Sequence, residues 1–198
     1  MKMTRPVLVL ALAAAALATG CATRQTVLGA GPAVVSSTTT VTAPAAPVAA
    51  GRLSAGDQAF VAVAAGAGMY EVEAARLALT RAADAQVRGY AQMLVDHHTA
   101  NNNELMSLVS TKGHRIAPGL PAVLRQKVQT LSSLQGADFD REFIRTTGVQ
   151  DHAAAVKAFE DGQRTVADAA LRAYVDKTLP VLRSHLQHAQ DIAGRMAG

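Results

Sequence analysis

The stretch "LPVLRSHLQHAQDIAGRM", residues 179–196, decides the class of the fold. Leu182, His185, Ala189, Ile192 and Met196 recur at alternating steps of three and four, the spacing of one face of an α-helix. Two features interrupt an otherwise ordinary amphipathic pattern. Pro180 removes one helical hydrogen bond and crowds the carbonyl of Asp176, four residues back. It either re-aims the turn that carries His185 or simply bends the helix around a bundle. His185 itself stands on the apolar stripe, and His188 lies roughly 60° around the helix from it.

Helical texture of this kind extends backward to Ser54. Ser54 and Asp57 form a capping-box-like start, and the first helix runs to about Ala82. Asp84 caps a second helix that reaches about Lys112 and stops at Gly113. The loop "GHRIAPGLP" leads to a short helix over about 121–134, then to a long one over about 138–161 ending at Gly162. Thr165 is placed to cap the last helix. Four long helices, two short joins and one longer crossover with an extra short helix predict an all-α fold, a ferritin-like four-helix bundle over residues 53–198. Alanine at many seam positions predicts a lean core with closely approaching helices.

Ahead of this domain the texture is different. Residues 1–21 carry Lys2 and Arg5 before an apolar run from Val7 to Thr19, too short to span a bilayer as a helix. This is the pattern of an export signal. Cys21, the only cysteine, follows "LATG" much as a lipid-modified cysteine follows a bacterial lipobox, although Leu17 stands one residue further away than usual. The expectation is lipidation at Cys21; ordinary cleavage leaving a free periplasmic protein is the alternative. Ala22 is not the aspartate that retains such proteins in the inner membrane, so the expected location is the periplasmic side of the outer membrane. Residues 22–52 are rich in Ala, Thr, Val and Pro and read as a flexible tether. The net charge of +4 includes Lys2 and Arg5, and no Lys/Arg cluster appears, so nucleic acid is not an expected partner. The expected partners are the membrane, through the lipid, and a second copy or another envelope protein against an alanine-rich groove.

The seams place one ligand-type side chain on the inward face of each long helix. Glu71 falls among Phe60, Ala64, Ala67, Ala74 and Ala78; His98 falls with Val87, Ala91, Leu94, Asn101, Leu105 and Leu108. His152 follows Val149, and His185 lies on the stripe described above, with Thr178 also in phase. Phe139 and Phe143 do not fit: on a straight helix they face away from His152, and Gly148 between them marks a candidate irregularity. Burying four such groups separately is costly, and convergence reduces the cost. Glu71, His98, His152 and His185 can therefore form either a hydrogen-bonded polar network or a metal site for Zn, Fe, Cu or Mn. His97, Asp151, Glu142 and His188 are the candidate outer partners that orient the imidazoles.

The segments "GMYEVEAARLA", "YAQMLVDHHTANNNEL", "GADFDREF", "DHAAAVKAF" and "TLPVLRSHLQHA" resemble, in order, the motifs of a bacterial envelope family of unknown function. Its members carry labels such as outer membrane or predicted membrane protein and are grouped with ferritin-like bundles. The resemblance covers about residues 54–193 and implies that Glu71, His98, His152 and His185 are the family's inward polar residues, with Asp140 in its Phe-Asp pair. Where that family has Asp-His in the second helix, this chain has His97-His98, with Asp96 displaced by one.

Chemistry beyond this is sparse. No Glu-x-x-His pair exists, which argues against a ferritin-type di-iron centre. There is no nucleophile motif and no Gly-rich phosphate loop, so no catalytic residue is assigned. Met69, Met93, Met106 and Met196 are scattered and read as filler rather than as a copper-type cluster. The expected role is a non-enzymatic periplasmic binding or envelope-stress module, with Glu71, His98, His152 and His185 as the candidate site for one transition metal. A metal-free structural domain and a metal-dependent redox enzyme are the alternatives.

Overall fold

The computed structural model describes residues 51–197, and over them it is an all-α bundle. The expected signal, the lipidation at Cys21 and nearly all of the tether lie outside the described residues. Helix α1 spans Ala55–Arg81 and α2 spans Ala85–Ser110; α3, Ala122–Ser132, occupies the crossover. Then α4, Gly136–Phe143, runs through a π-helical segment, Ile144–Asp151, into α5, His152–Thr165, and α6, Ala169–Ala197, completes the chain. No described helix is long and apolar enough to cross a membrane.

The starts follow local chemistry. The Ser54 hydroxyl accepts from the Asp57 amide at 3.0 Å, and the Asp57 carboxylate accepts from the Ser54 amide at 3.2 Å, closing the expected box. Asp57 also accepts from the Ala167 amide at 2.8 Å, so a buried carboxylate ties the first turn of α1 to the α5–α6 turn. Asp84 caps α2 through the amide of Gln86. Asp140, buried on α4, accepts from the Ala83 and Asp84 amides at 3.2 and 2.9 Å and so pins the α1–α2 turn.

Two boundaries depart from the sequence expectation. Thr165 does not cap α6; its hydroxyl turns back to the carbonyl of Asp161, and Asp168 caps instead by accepting from the Ala170 and Leu171 amides, each at 3.0 Å. Gly162 does not end α5, which continues to Thr165. Its role is close packing: a methyl group there would lie 2.8 Å from the Phe60 ring. The same logic holds where α1 crosses α2, since a Cβ on Gly68 would sit 2.1 Å from the Asn102 amide oxygen. Small residues let α1 and α2 lie close, as Ala74, Ala75 and Ala78 are all fully buried there.

The third long helix is the larger surprise. Nine residues separate Phe143 from His152, about two and a half turns at 3.6 residues per turn, which would put them on opposite faces. The π segment widens each turn, so that the same nine residues make about two turns. Phe139, Phe143 and His152 are consequently all buried completely on one side. Gly148 lies inside that segment, where a Cβ would come 2.9 Å from the Ala189 methyl.

The buried apolar residues form two clusters. One gathers Tyr70, Ala74, Ala78, Tyr90, Leu94, Phe139, Phe143, Ile144 and Ile192. The other gathers Val61, Ala65, Leu105, Phe159, Tyr174, Leu179 and Leu182. On every long helix, the polar residue singled out by the periodicity falls at the boundary between them. Pro180 takes no part in this layer. It and Asp176 are exposed.

Candidate metal centre

Glu71, His98, His152 and His185 are each less than 4% exposed, and the fold brings all four together. One ring nitrogen from each of His98, His152 and His185 lies within 4.8 Å of the other two. The His152 Nε2 to His185 Nδ1 distance is 3.3 Å. Two nitrogens on a tetrahedral zinc, at Zn–N of ~2.0–2.1 Å, would be about 3.3 Å apart.

What holds each ring is equally informative. His152 donates from Nδ1 to the Thr147 carbonyl at 2.8 Å, within the π segment, which leaves a lone pair on Nε2. His185 Nε2 lies 2.8 Å from Nδ1 of His97, so its Nδ1 turns toward His152. His98 Nδ1 lies 3.0 Å from the Glu71 carboxyl, and its buried Nε2 has no hydrogen-bond partner. Every ring thus has one nitrogen engaged, the second nitrogens of His152 and His185 face each other, and that of His98 has no partner. This is the usual arrangement of metal-binding histidines, in which an oxygen or nitrogen behind the ring sets its orientation.

Glu71, expected among the ligands, stands behind the rings instead. Its Oε2 meets Nδ1 of His98 and its Oε1 lies 3.7 Å from Nδ1 of His152, so it faces the nitrogens turned away from the cluster. Among the outer candidates, His97 does touch a cluster histidine. It is exposed, and its Nδ1 lies 2.8 Å from Nε2 of His185. Asp151 does not meet an imidazole; it pairs with Lys127 from α3. Glu142, on α4, does not meet an imidazole either; its half-buried carboxylate chelates Arg145. His188 is exposed and packs edge-on against Tyr90, centroids 5.3 Å apart.

Several contributors had little sequence signal. The Tyr70 hydroxyl bonds to Thr147 Oγ1 at 2.9 Å, and Lys127 lies 5.5 Å over the Tyr70 ring. Tyr174, Asn101 and Thr178 form a second network: Asn101 donates to the Tyr174 hydroxyl at 2.7 Å and accepts from Thr178 at 3.0 Å. Only Asn101 and Thr178 were in phase with the seams.

Burial dominates the protonation chemistry. It pushes the Glu71 carboxyl up to about 8, aided by the nearby Asp151 charge and opposed by Lys127. It pushes His98 well below its usual value, helped by its neighbouring histidines. His152 is lowered by burial against the Thr147 and Asp151 contacts, and His185 falls to about 3 through burial and then its neighbours. The imidazoles are therefore neutral at pH 7, the form that ligates a metal. Two states satisfy the Glu71–His98 contact. A protonated carboxyl can donate to Nδ1, or a carboxylate can accept from it; an ion at Nε2 selects the second.

In the metal-free protein Glu71 binds a proton in the fold that it has lost when unfolded, over the window from about 4.5 to about 8. Its contribution to stability falls as pH rises through that window. The lowered histidines act in the other direction, losing stability as pH falls below 6.5. From about pH 7.5 to about 8.5, once the unfolded-state histidines have lost their protons, the Glu71 effect stands alone. Urea unfolding in chelator is expected to show wild-type stability declining across that interval and a flat profile for Glu71→Gln. Equal slopes would remove Glu71 as the titrating group.

Residues 42–192 match the model of a family described as a domain of unknown function (DUF4142). No curated protein and no solved structure matches the chain.

Proposed function

The chain belongs to the DUF4142 family, a domain of unknown function, and from that premise we propose that it is an exported, non-enzymatic module holding one transition-metal ion. The ligands are His98 and His152 through Nε2 and His185 through Nδ1; Glu71, the Thr147 carbonyl and His97 orient the rings. The observation that carries this reading is the convergence of three buried, neutral imidazoles, each with its other nitrogen engaged from behind. Three nitrogen ligands without a thiolate suit zinc first and also copper, iron or manganese. The nearest competing reading is a metal-free polar layer that sets helix register, which the 3.3 Å contact between His152 and His185 would also satisfy.

The N-terminal sequence supports placement in the bacterial envelope, with Cys21 as a lipid-bearing first residue and the outer membrane as the site of attachment.

Elemental analysis of protein purified without chelator tests the site. One equivalent of metal per chain is expected, with loss of that equivalent in the His98→Ala/His185→Ala variant. Metal-free protein that stays metal-free after incubation with zinc, copper, iron and manganese would leave the polar-layer reading in possession. Incorporation of labelled palmitate in the producing cell, lost in Cys21→Ser, tests the anchor.

A further inference from the structure

A groove of about 260 Å³ runs between α2 and α6 and ends on two of the three cluster histidines, His98 and His185. We infer that this groove receives a small aliphatic carboxylate that occupies the open coordination position of the ion; this rests on the metal reading above.

Direction comes first. Glu71 and the Thr147 carbonyl lie behind the rings of His98 and His152, so those sides are closed. The groove is the side on which His98 and His185 meet solvent-accessible space, and a fourth ligand to a three-histidine ion has its natural entry there.

Charge comes next. A divalent ion on three neutral imidazoles carries its full charge, and the one carboxylate touching these rings, Glu71, balances half of it. A single monoanion in the groove completes the balance.

Shape and hydrogen bonding narrow the class. Ala100, Val181 and Leu182 give the groove aliphatic walls. Its volume lies just below the ~300–1,000 Å³ of ordinary ligand pockets, enough for a small organic ligand. On the polar side, Asn101 accepts from Thr178 and donates one Nδ2–H to Tyr174, leaving its second Nδ2–H for a ligand oxygen. The Lys177–Glu104 ion pair, at 2.6 Å, frames the rim and adds no net charge.

The test uses protein loaded with cobalt(II), whose visible spectrum reports its coordination, titrated with propionate, its neutral isostere propionamide, and azide. A saturable spectral change with propionate and none with propionamide is expected. Val181 is 39% exposed, so Val181→Trp can fill the groove without disturbing the core. That variant is expected to keep its cobalt and to bind propionate at least about tenfold more weakly, equivalent to ~1.4 kcal/mol. One equivalent of cobalt with a spectrum indifferent to propionate overturns the carboxylate site and leaves the metal reading intact. A response to azide but not to propionate shows an open position without this selectivity and also overturns it. Unchanged propionate affinity in Val181→Trp places the ligand outside the groove. Failure to bind cobalt removes the metal reading and this inference with it.

Discussion

Free Zn²⁺ at a thousand times its dissociation constant is expected to raise the unfolding free energy by about 4 kcal/mol, and Tm by roughly 10 °C or more. The physical basis is that the ligands exist together only in the folded chain. His98 is on α2, His152 at the start of α5 and His185 on α6, and no two are near in sequence. The unfolded chain offers the ion isolated histidines, which bind it far more weakly. In His98→Ala/His185→Ala the increment should vanish. It is read as the difference between zinc and chelator within each protein, so the packing cost of the alanines cancels. An equal increment in the variant would mean that zinc binds elsewhere and would remove these residues as ligands.

Phe143→Ala is expected to cost about 3–5 kcal/mol, the range for removing a fully buried phenylalanine. Phe143 stacks on Phe139 with centroids 5.7 Å apart and meets Tyr90 edge-on at 6.3 Å. Truncation leaves a cavity walled by large rings on two elements, which cannot collapse without moving α4 relative to α2. Denaturant unfolding measures the loss. A cost below about 1 kcal/mol would mean that the π segment does not hold Phe143 in the core, since an exposed ring is cheap to remove. Tyr90 also packs against His152, with centroids 6.3 Å apart, so the same cavity is expected to loosen that histidine.

The long, strongly periodic elements were the legible part of this protein. The Ser54 and Asp84 caps, the four inward polar residues and the short crossover helix follow from residue spacing and local hydrogen-bonding chemistry, and the structure places them as expected. The boundary errors at Gly162 and Thr165 have one cause. Glycine signals a helix end when it supplies an unusual backbone angle, but Gly162 supplies absent volume against Phe60, a property of a residue about a hundred positions away. Phe143 and His152 fall out of phase on a straight helix because a period of 3.6 does not hold through the π segment.

Periodicity could state which side chains face inward, because facing is set by the rotation of each helix about its own axis. It could not state which atom of each side chain faces which neighbour. That Glu71 lies behind the rings, that His98 Nε2 is left bare, and that a main-chain carbonyl holds His152 depend on how far each helix is advanced along its neighbours. The close approaches of Gly68 to Asn102 and of Gly148 to Ala189 go with that advance, and the π turns bring Phe143 and His152 to the same side. The sequence by itself determined an all-helical bundle with four buried polar residues. Only tertiary packing, through distances between residues far apart in the chain, made three of them a cluster and the fourth its support.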